Sequence, residues 1–388
     1  MPLGFPRSVY MRSAALVILG AVAGLSLASP RQASAREAGQ PLPVTIRSLT
    51  LKETADGYGW TLQRVSMPAI GEHQVLVRVR AISLNHDDLP PRRRIPNVNL
   101  TGVRLGSDAA GDVVAIGKAV TAFNVGERVT NTYFRNWTEG VPARAQIHRA
   151  KVSGVASDYV ALDDTAVVAI PNGYSYEEAA TLPTAGVTAW AATAGRDRLG
   201  PGKIVLIEGT GGVSTFAMQF AAATGARIIL TSSSDEKLRR TLKIAPHQGI
   251  NYQSVPMWSQ RVLELTGGRG ADLVVDVGGK STLPQAVRSL APGGTLSIVG
   301  GLTGYDGEIP AGLLLGNVAK AQGIFVGSRA DFRKMNAFIR THRLHPVIDR
   351  VFPFEDYEQA LSLLASDQFV GKIVLRLVDP QEARRHGA

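Results

Sequence analysis

Residues 203–234 read KIVLIEGTGGVSTFAMQFAAATGARIILTSSS, and the fold is decided in this stretch. Ile204 to Ile207 is a continuous apolar run, the pattern of a strand buried on both faces. STFAMQFAAATG then reads as a helix, and ARIILTSS as a second strand. Between first strand and helix lie Gly209, Thr210, Gly211, Gly212, Val213 and Ser214. Glycines there let the backbone amides and the helix N-terminus approach a pyrophosphate. Strand, loop, helix and second strand fall at the spacing of a nucleotide-binding βαβ unit. The plainer alternative is a tight strand-to-helix turn with no ligand. Ser214 stands where the fingerprint's third glycine would be, which adds a hydroxyl at some loss of closeness between helix and sheet.

Working outward, the same rhythm continues through DEKLRRTLKI as a helix and ADLVVDVGG and GTLSIVGG as buried strands. The expected fold class is therefore α/β, with a doubly wound, parallel Rossmann-type sheet over residues 175–315. Upstream, VTIRSLTL, HQVLVRVRAISL, DVVAIG and ERVTNTY alternate with period two between Gly, Pro and Asn clusters, giving a β-rich domain over residues 44–174. Downstream, GIFVGS and GKIVLRL read as isolated strands with helices between them, in a segment (316–380) expected to pack back on the first domain, followed by a polar tail (381–388).

Composition narrows the function classes. Hydrophobic residues are 45% and charged residues 19% of 388, and mean hydropathy is +0.04, which excludes disorder or multiple membrane spans as whole-chain descriptions. The net charge of +10 is spread along the chain, so no nucleic-acid partner is expected. With no cysteine at all, disulfides, a thiolate nucleophile, iron–sulfur clusters and thiolate zinc sites are excluded. Arg7 and Arg12 precede an uncharged stretch from Ser13 to Pro30, and Ala33-Ser34-Ala35 follows. Residues 1–35 thus read as a secretory signal peptide and 36–43 as a linker, predicting a periplasmic or secreted protein with no stable membrane insertion after cleavage. A true start further downstream would instead leave the protein in the cytoplasm.

LVRVRAISLNHDDL, GSDAAGDVVAIGKAVTAFNVGERV, SDYVALDD, EEAATLPTAGVTAW, LIEGTGGVS, DLVVDVGG and GGTLSIVGG occur in this order from about Val44 to Val378. Together they resemble the medium-chain dehydrogenase/reductase superfamily, in its zinc-independent quinone-oxidoreductase and alcohol-dehydrogenase-like branch. The resemblance implies a discontinuous GroES-like, barrel-like catalytic domain with the nucleotide domain inserted in it, an active site in the cleft between them, and a homodimer. Zinc-dependent relatives carry a cysteine where this chain has Asn85 and a histidine where it has Ser107. The lobe with four cysteines is also absent, so no metal is expected.

By the same resemblance, Asn85, His86 and Asp88 are the candidate catalytic residues. The Asn85 amide can donate to a developing oxyanion, His86 can donate a proton, and Asp88 can orient loop or ribose groups. Each has a structural alternative, in loop stabilisation or a satisfied polar cluster. Thr184, Thr188, Val277, Val299, Gly300, Phe325, Val326 and Gly327 match positions around the cofactor, and Tyr252 a position near its 2′-phosphate. NAD-preferring folds place an acid roughly 20 residues beyond the first loop glycine. Here Thr231, Ser232, Ser233 and Ser234 stand there, with Lys237 one helical turn on, which predicts NADP(H); Lys237 could also be a solvated helix residue. Arg92, Arg93 and Arg94 could attract an anionic substrate or form a solvated charge run. Hydrogen bonds polarise a carbonyl less than a metal does, so the expected reaction is NADPH-dependent reduction of a small molecule, a quinone or α,β-unsaturated carbonyl. Alcohol and ketone interconversion, and an NADP(H)-binding sensor or structural protein with little turnover, are the alternatives.

Overall fold

The computed structural model describes residues 42–55, 57–91, 99–144, 154–193 and 199–378. The leader, residues 36–41 of the linker, Arg92, Arg93 and Arg94, and the polar tail lie outside the described residues.

The first part of the chain is antiparallel. Strands β1 (Thr45–Thr54) and β2 (Gly57–Ser66) form a hairpin. β3 (Gln74–Ser83), β4 (Ala109–Ile116), β5 (Arg128–Asn131), β6 (Tyr159–Asp163) and β7 (Val167–Ala169) belong to a larger, seven-stranded sheet. Short helices α1 (Tyr176–Ala180) and α2 (Val187–Ala192) follow, joined by a wide turn at Leu182–Gly186. Ser175 caps α1 by accepting from the Glu178 amide.

The nucleotide unit then runs β8 (Ile204–Glu208), α3 (Gly212–Ala223), β9 (Arg227–Ser232), α4 (Asp235–Thr241), β10 (Gln248–Asn251), α5 (Trp258–Leu265), β11 (Ala271–Asp276), α6 (Leu283–Arg288) and β12 (Leu290–Ile298). It ends with α7 (Ala311–Gly316) and β13 (Lys320–Gly323). These strands form one parallel sheet in the order β10-β9-β8-β11-β12-β13. The order reverses between β8 and β11, which opens a crevice at their C-terminal ends. Alternate residues of β8 serve opposite faces: Val205 and Ile207 pack with Phe216, Phe220 and Trp190, while Ile204 and Leu206 pack with Trp258, Val262 and Leu283. Helices on both faces are the reason the strand reads as an uninterrupted apolar run.

The sequence reading placed a strand at GIFVGS. The strand is instead at Lys320–Gly323, just before it, where pairing with β12 continues the parallel sheet beyond residue 315. Ile324 to Gly327 turns the chain away, with Val326 at φ 58 and Ile324 N–H still donating to the Ile298 carbonyl. Helix α8 (Arg329–His342), β14 (Ile348–Pro353), α9 (Tyr357–Ser366) and β15 (Lys372–Arg376) complete the chain. β15, the GKIVLRL segment, pairs antiparallel with β3 and so returns to the first domain's sheet. Its Ile373, Leu375 and Leu377 enter the same core as Val77, Ile82 and Leu105. Among the described residues, no helix is long and apolar enough to cross a membrane.

Candidate active site

β15 brings the two parts of the chain together at one point. Gly371 forms an isolated bridge with Gly211, and its N–H donates to the Thr210 carbonyl at 2.9 Å. Lys372 follows, 4% exposed, with its stem laid over the start of α3. A Cβ on Gly212 would lie 2.3 Å from Lys372 Cδ and 3.1 Å from Ala185 Cβ, so glycine is required by that contact. Gly209 has a different reason: its φ is 72, a left-handed turn that carries the chain from β8 into the helix. Ser214, in the third fingerprint position, is buried and donates its hydroxyl to the Glu208 carbonyl at 2.7 Å. The serine thus ties the helix to the strand end that a glycine would only have approached.

From Gly212 the Lys372 ammonium crosses to the β3 end. It donates to the Leu84 carbonyl and, at 2.6 Å, to Asn85 Oδ1. Asn85 Nδ2 donates to Asp108 Oδ2 at 2.9 Å and lies 3.5 Å from Ser107 Oγ. Asp108 Oδ1 accepts from Thr184 Oγ1 at 2.5 Å, and its other oxygen from the Thr184 N–H at 3.3 Å. The result is a buried chain from cation to carboxamide to carboxylate to hydroxyl. Burial pushes the Asp108 carboxyl up from its usual range, and it pushes Lys372 down. Each shift is opposed by the other's charge, and for Asp108 also by the donors Asn85 and Thr184.

Asn131 holds the neighbouring segment, accepting from Ala109 N–H at 2.7 Å and donating to the Ser107 carbonyl at 2.7 Å. Beyond it, at the end of β5, an aromatic group spans both parts of the molecule. Phe325 meets Phe134 at 5.4 Å and Tyr133 at 5.9 Å between ring centroids, both edge-on, and Phe134 also meets Trp137 at 5.5 Å. Phe325 is 45% exposed, so this apolar group retains an open face.

The sequence-nominated residues divide by their surroundings. Asn85 and Thr184 meet at Asp108. Asp88 is buried and accepts from the Asn85 N–H at 2.7 Å, closing a single turn over His86–Asp88. His86 projects from that turn, exposed. Thr188 is buried within α2. Val277 lies beside Gly209, and the Val299 and Gly300 amides approach the Asp276 carbonyl at 2.8 and 3.4 Å. Ser234 caps α4 through the Lys237 N–H, and the Ser232 hydroxyl accepts from the Ser234 N–H at 3.3 Å. Ser233 is half-buried, with no side-chain partner among the described residues. Lys237 is not a solvated helix residue: only 8% exposed, it donates its ammonium to the Asp367 carbonyl at 2.9 Å. Tyr252 is 39% exposed, its N–H bound to the Ser232 carbonyl.

Lys372 and Asp108 did not emerge as site residues from the sequence. Each was visible only as a lone charge in an apolar setting, in GKIVL and in SDAAG. A second pair was equally hidden: Glu208 ends β8 and Asp276 ends β11, both buried at the point where strand order reverses.

Residues 71–172 match the family described as alcohol dehydrogenase GroES-like domain, and residues 212–341 match that described as zinc-binding dehydrogenase. A zinc-type alcohol dehydrogenase-like protein of Schizosaccharomyces pombe is 40% identical over 315 residues, 78% of this chain and 91% of that one. The chain belongs to the medium-chain dehydrogenase/reductase superfamily. As a member of that superfamily it is an oxidoreductase. It is also similar to a quinone oxidoreductase of Pseudomonas aeruginosa, 32% identical over 245 residues, 63% of this chain and 70% of that one. Among solved structures, a Sinorhizobium meliloti protein assigned as an alcohol dehydrogenase superposes with a TM-score of 0.80 at 35% identity, covering 87% of this chain and 100% of that one.

A zinc ion, which the name of one matching family implies, can be tested against the donors at this place. They are a carboxamide, a hydroxyl and a carboxylate already engaged by three donors, with an ammonium 2.6 Å from the carboxamide oxygen. Tetrahedral zinc sites use thiolate, imidazole and free carboxylate, so these residues do not fit the ion. Among the described residues, no group of three or more His, Asp or Glu is placed to hold a metal.

Proposed function

We propose that this oxidoreductase reduces a quinone or an α,β-unsaturated carbonyl by direct hydride transfer from NADPH, without zinc. The observation that carries the reading is the Asn85 carboxamide, fixed at both ends in the place where zinc-dependent relatives carry a metal ligand. An amide donor stabilises a developing oxyanion more weakly than a metal ion does, which favours acceptors that are already activated. The open aromatic face of Phe325, beside Tyr133 and Phe134, suits a planar, largely apolar substrate.

The glycine loop and the N-terminus of α3 suit a dinucleotide pyrophosphate, with Gly209, Thr210, Gly211, Gly212, Val213 and Ser214 around it. Bound there, NADPH supplies the hydride. The chain's own part is to orient the acceptor, donate an N–H of Asn85 to its oxygen, and exclude water through the Tyr133, Phe134 and Phe325 rings. NADP is favoured over NAD because Thr231 to Ser234 carry no acid to repel a 2′-phosphate. The alternative, NADP-dependent alcohol and ketone interconversion, is favoured by the similarity to zinc-type alcohol dehydrogenase-like proteins. A homodimer is also proposed: β13 is an edge strand, and Leu315 and Val318 just before it are exposed.

Oxidation of NADPH against a panel of quinones, enones, ketones and aldehydes tests the function. The expected result is turnover concentrated in the first two classes, reduced by roughly ten-fold or more in Asn85→Ala. Turnover confined to simple alcohols and ketones would give the alternative. Sedimentation velocity distinguishes dimer from monomer.

A further inference from the structure

We propose that Lys372 is a positioning residue for this reaction: its ammonium fixes the orientation of the Asn85 carboxamide and strengthens the amide N–H that Asp108 leaves for the substrate oxygen. The inference rests on the reading of Asn85 as the substrate's donor.

The two ends of an amide side chain are alike in shape and opposite in hydrogen bonding, so its neighbours decide which way it points. Here they leave one orientation. Lys372 Nζ lies 2.6 Å from one end and Asp108 Oδ2 lies 2.9 Å from the other. Turned over, the amide would set NH2 against an ammonium and a carbonyl oxygen against a carboxylate. The nitrogen is therefore held on the Asp108 side, and of its two hydrogens one is spent on Asp108. Among the described residues the other has Ser107 Oγ at 3.5 Å, a long and weak contact that a substrate oxygen can replace. A cation on the carbonyl oxygen also draws electron density from the amide nitrogen, making the remaining N–H a better donor.

The lysine itself is built for this place. Its backbone is held by N–H donation to the Val347 carbonyl at 2.9 Å, and the preceding Gly371 is tied to Thr210. Gly212 makes room for its stem, so the lysine's reach is set by the same loop that is proposed to hold the cofactor. An apolar side chain of similar length would pack against Gly212 without the cost of burying a charge, which makes a purely packing role a poor account of an ammonium. The charged groups around it are Asp108, Asp88 and Asp87, all of which favour the charged form. The Leu84 carbonyl takes one of its protons and Asn85 Oδ1 another.

The test compares Lys372→Met, Asn85→Ala and the double variant in the full chain, measuring kcat with NADPH and the best quinone acceptor, and NADPH affinity by fluorescence titration. Asn85→Ala and Lys372→Met are each expected to lower kcat roughly ten-fold, and the double variant to be no slower than Asn85→Ala alone. NADPH affinity should stay within about two-fold of wild type in all three. Additive losses, an unchanged kcat in Lys372→Met, or a loss confined to NADPH affinity would overturn the proposal. If Asn85→Ala alone is without effect, the reading of Asn85 fails first, and this inference with it. Should Lys372→Met not fold, Lys372→Gln retains a donor for Asn85 Oδ1 without the charge; an intermediate kcat supports the proposal, and wild-type kcat overturns the role of the charge.

Discussion

Glu208 and Asp276 face each other, buried, from the ends of adjacent parallel strands beneath the glycine loop. Asp276 accepts from Thr282 Oγ1 at 2.6 Å and from Gly279 N–H at 2.8 Å, while Glu208 Oε2 accepts only a long bond from Gly278 N–H at 3.4 Å. Burial, and then the charge of the nearby Asp276, push the Glu208 carboxyl well above its usual range, and burial also raises Asp276. The two carboxyls titrate as a unit.

This pair gives a pH dependence of known sign. A raised carboxyl stabilises the fold fully below its unfolded pKa, 4.5 for glutamate, and that stabilisation is lost as pH rises toward the folded value. Between the two, the folded protein holds a proton that the unfolded chain has released, costing about 1.4 kcal/mol per pH unit for one proton. Glu208→Gln keeps the shape of the side chain and removes Glu208's part of the dependence. Urea midpoints should be similar for variant and wild type near about pH 5, and higher for the variant at about pH 8. Parallel curves across that range would show that the pair is not protonated.

The architecture was legible because the nucleotide sheet needs apolar strands on both faces and glycines at the loop, and both signals lie within about thirty consecutive residues. The β13 strand was misplaced because KAQG is polar and lies at a sheet edge, whereas GIFVGS carries the β-like composition without the pairing. Asn85 and its turn partner Asp88 were nominated through their motif, but Lys372 and Asp108, which hold the two ends of the Asn85 amide, were not. Lys372 is 287 residues away and Asp108 is 23, and only the return of β15 beside β3 makes them neighbours. Lys237 shows the converse: its position in the sequence suggested a ligand of the 2′-phosphate, while folding gives its ammonium to a backbone carbonyl.

Gly212→Ala tests the contact between loop and lysine. The new Cβ would overlap Lys372 Cδ and press on Ala185, so the lysine must withdraw from Asn85. Overpacking of this kind costs about 1–3 kcal/mol. A lowered melting temperature together with a fall in kcat is expected. Loss of stability alone, with kcat intact, would separate the glycine's packing from the active site.

Cofactor preference should turn on Ser233 more than on Lys237. Ser232 and Ser234 are engaged locally and the Lys237 ammonium is bound to Asp367, which leaves the Ser233 hydroxyl for a 2′-phosphate. Ser233→Asp puts a carboxylate there, so NADPH affinity should fall by roughly ten-fold or more while NADH affinity holds or improves. Lys237→Ala should chiefly lower stability, by removing the bond to Asp367. Dissociation constants for both dinucleotides decide the matter. NADH binding as tightly as NADPH in the wild type would defeat the preference itself.

Activity should survive exhaustive chelation. Loss of a catalytic metal would remove several kcal/mol of transition-state stabilisation, so a metal-dependent enzyme would become effectively inactive. In this chain the position expected to carry a thiolate is Asn85, and that expected to carry an imidazole is Ser107. The carboxylate beside them, Asp108, is occupied by Asn85 and Thr184, and the Lys372 ammonium adds a positive charge that repels a divalent cation. Dialysis against a strong chelator should therefore leave kcat unchanged, and added zinc should not raise it. Elemental analysis of the active protein should find less than stoichiometric metal. Activity lost on chelation and restored by zinc would mean that the Lys372, Asn85 and Asp108 chain opens to admit an ion, and the preference for a quinone or enone would fall with it.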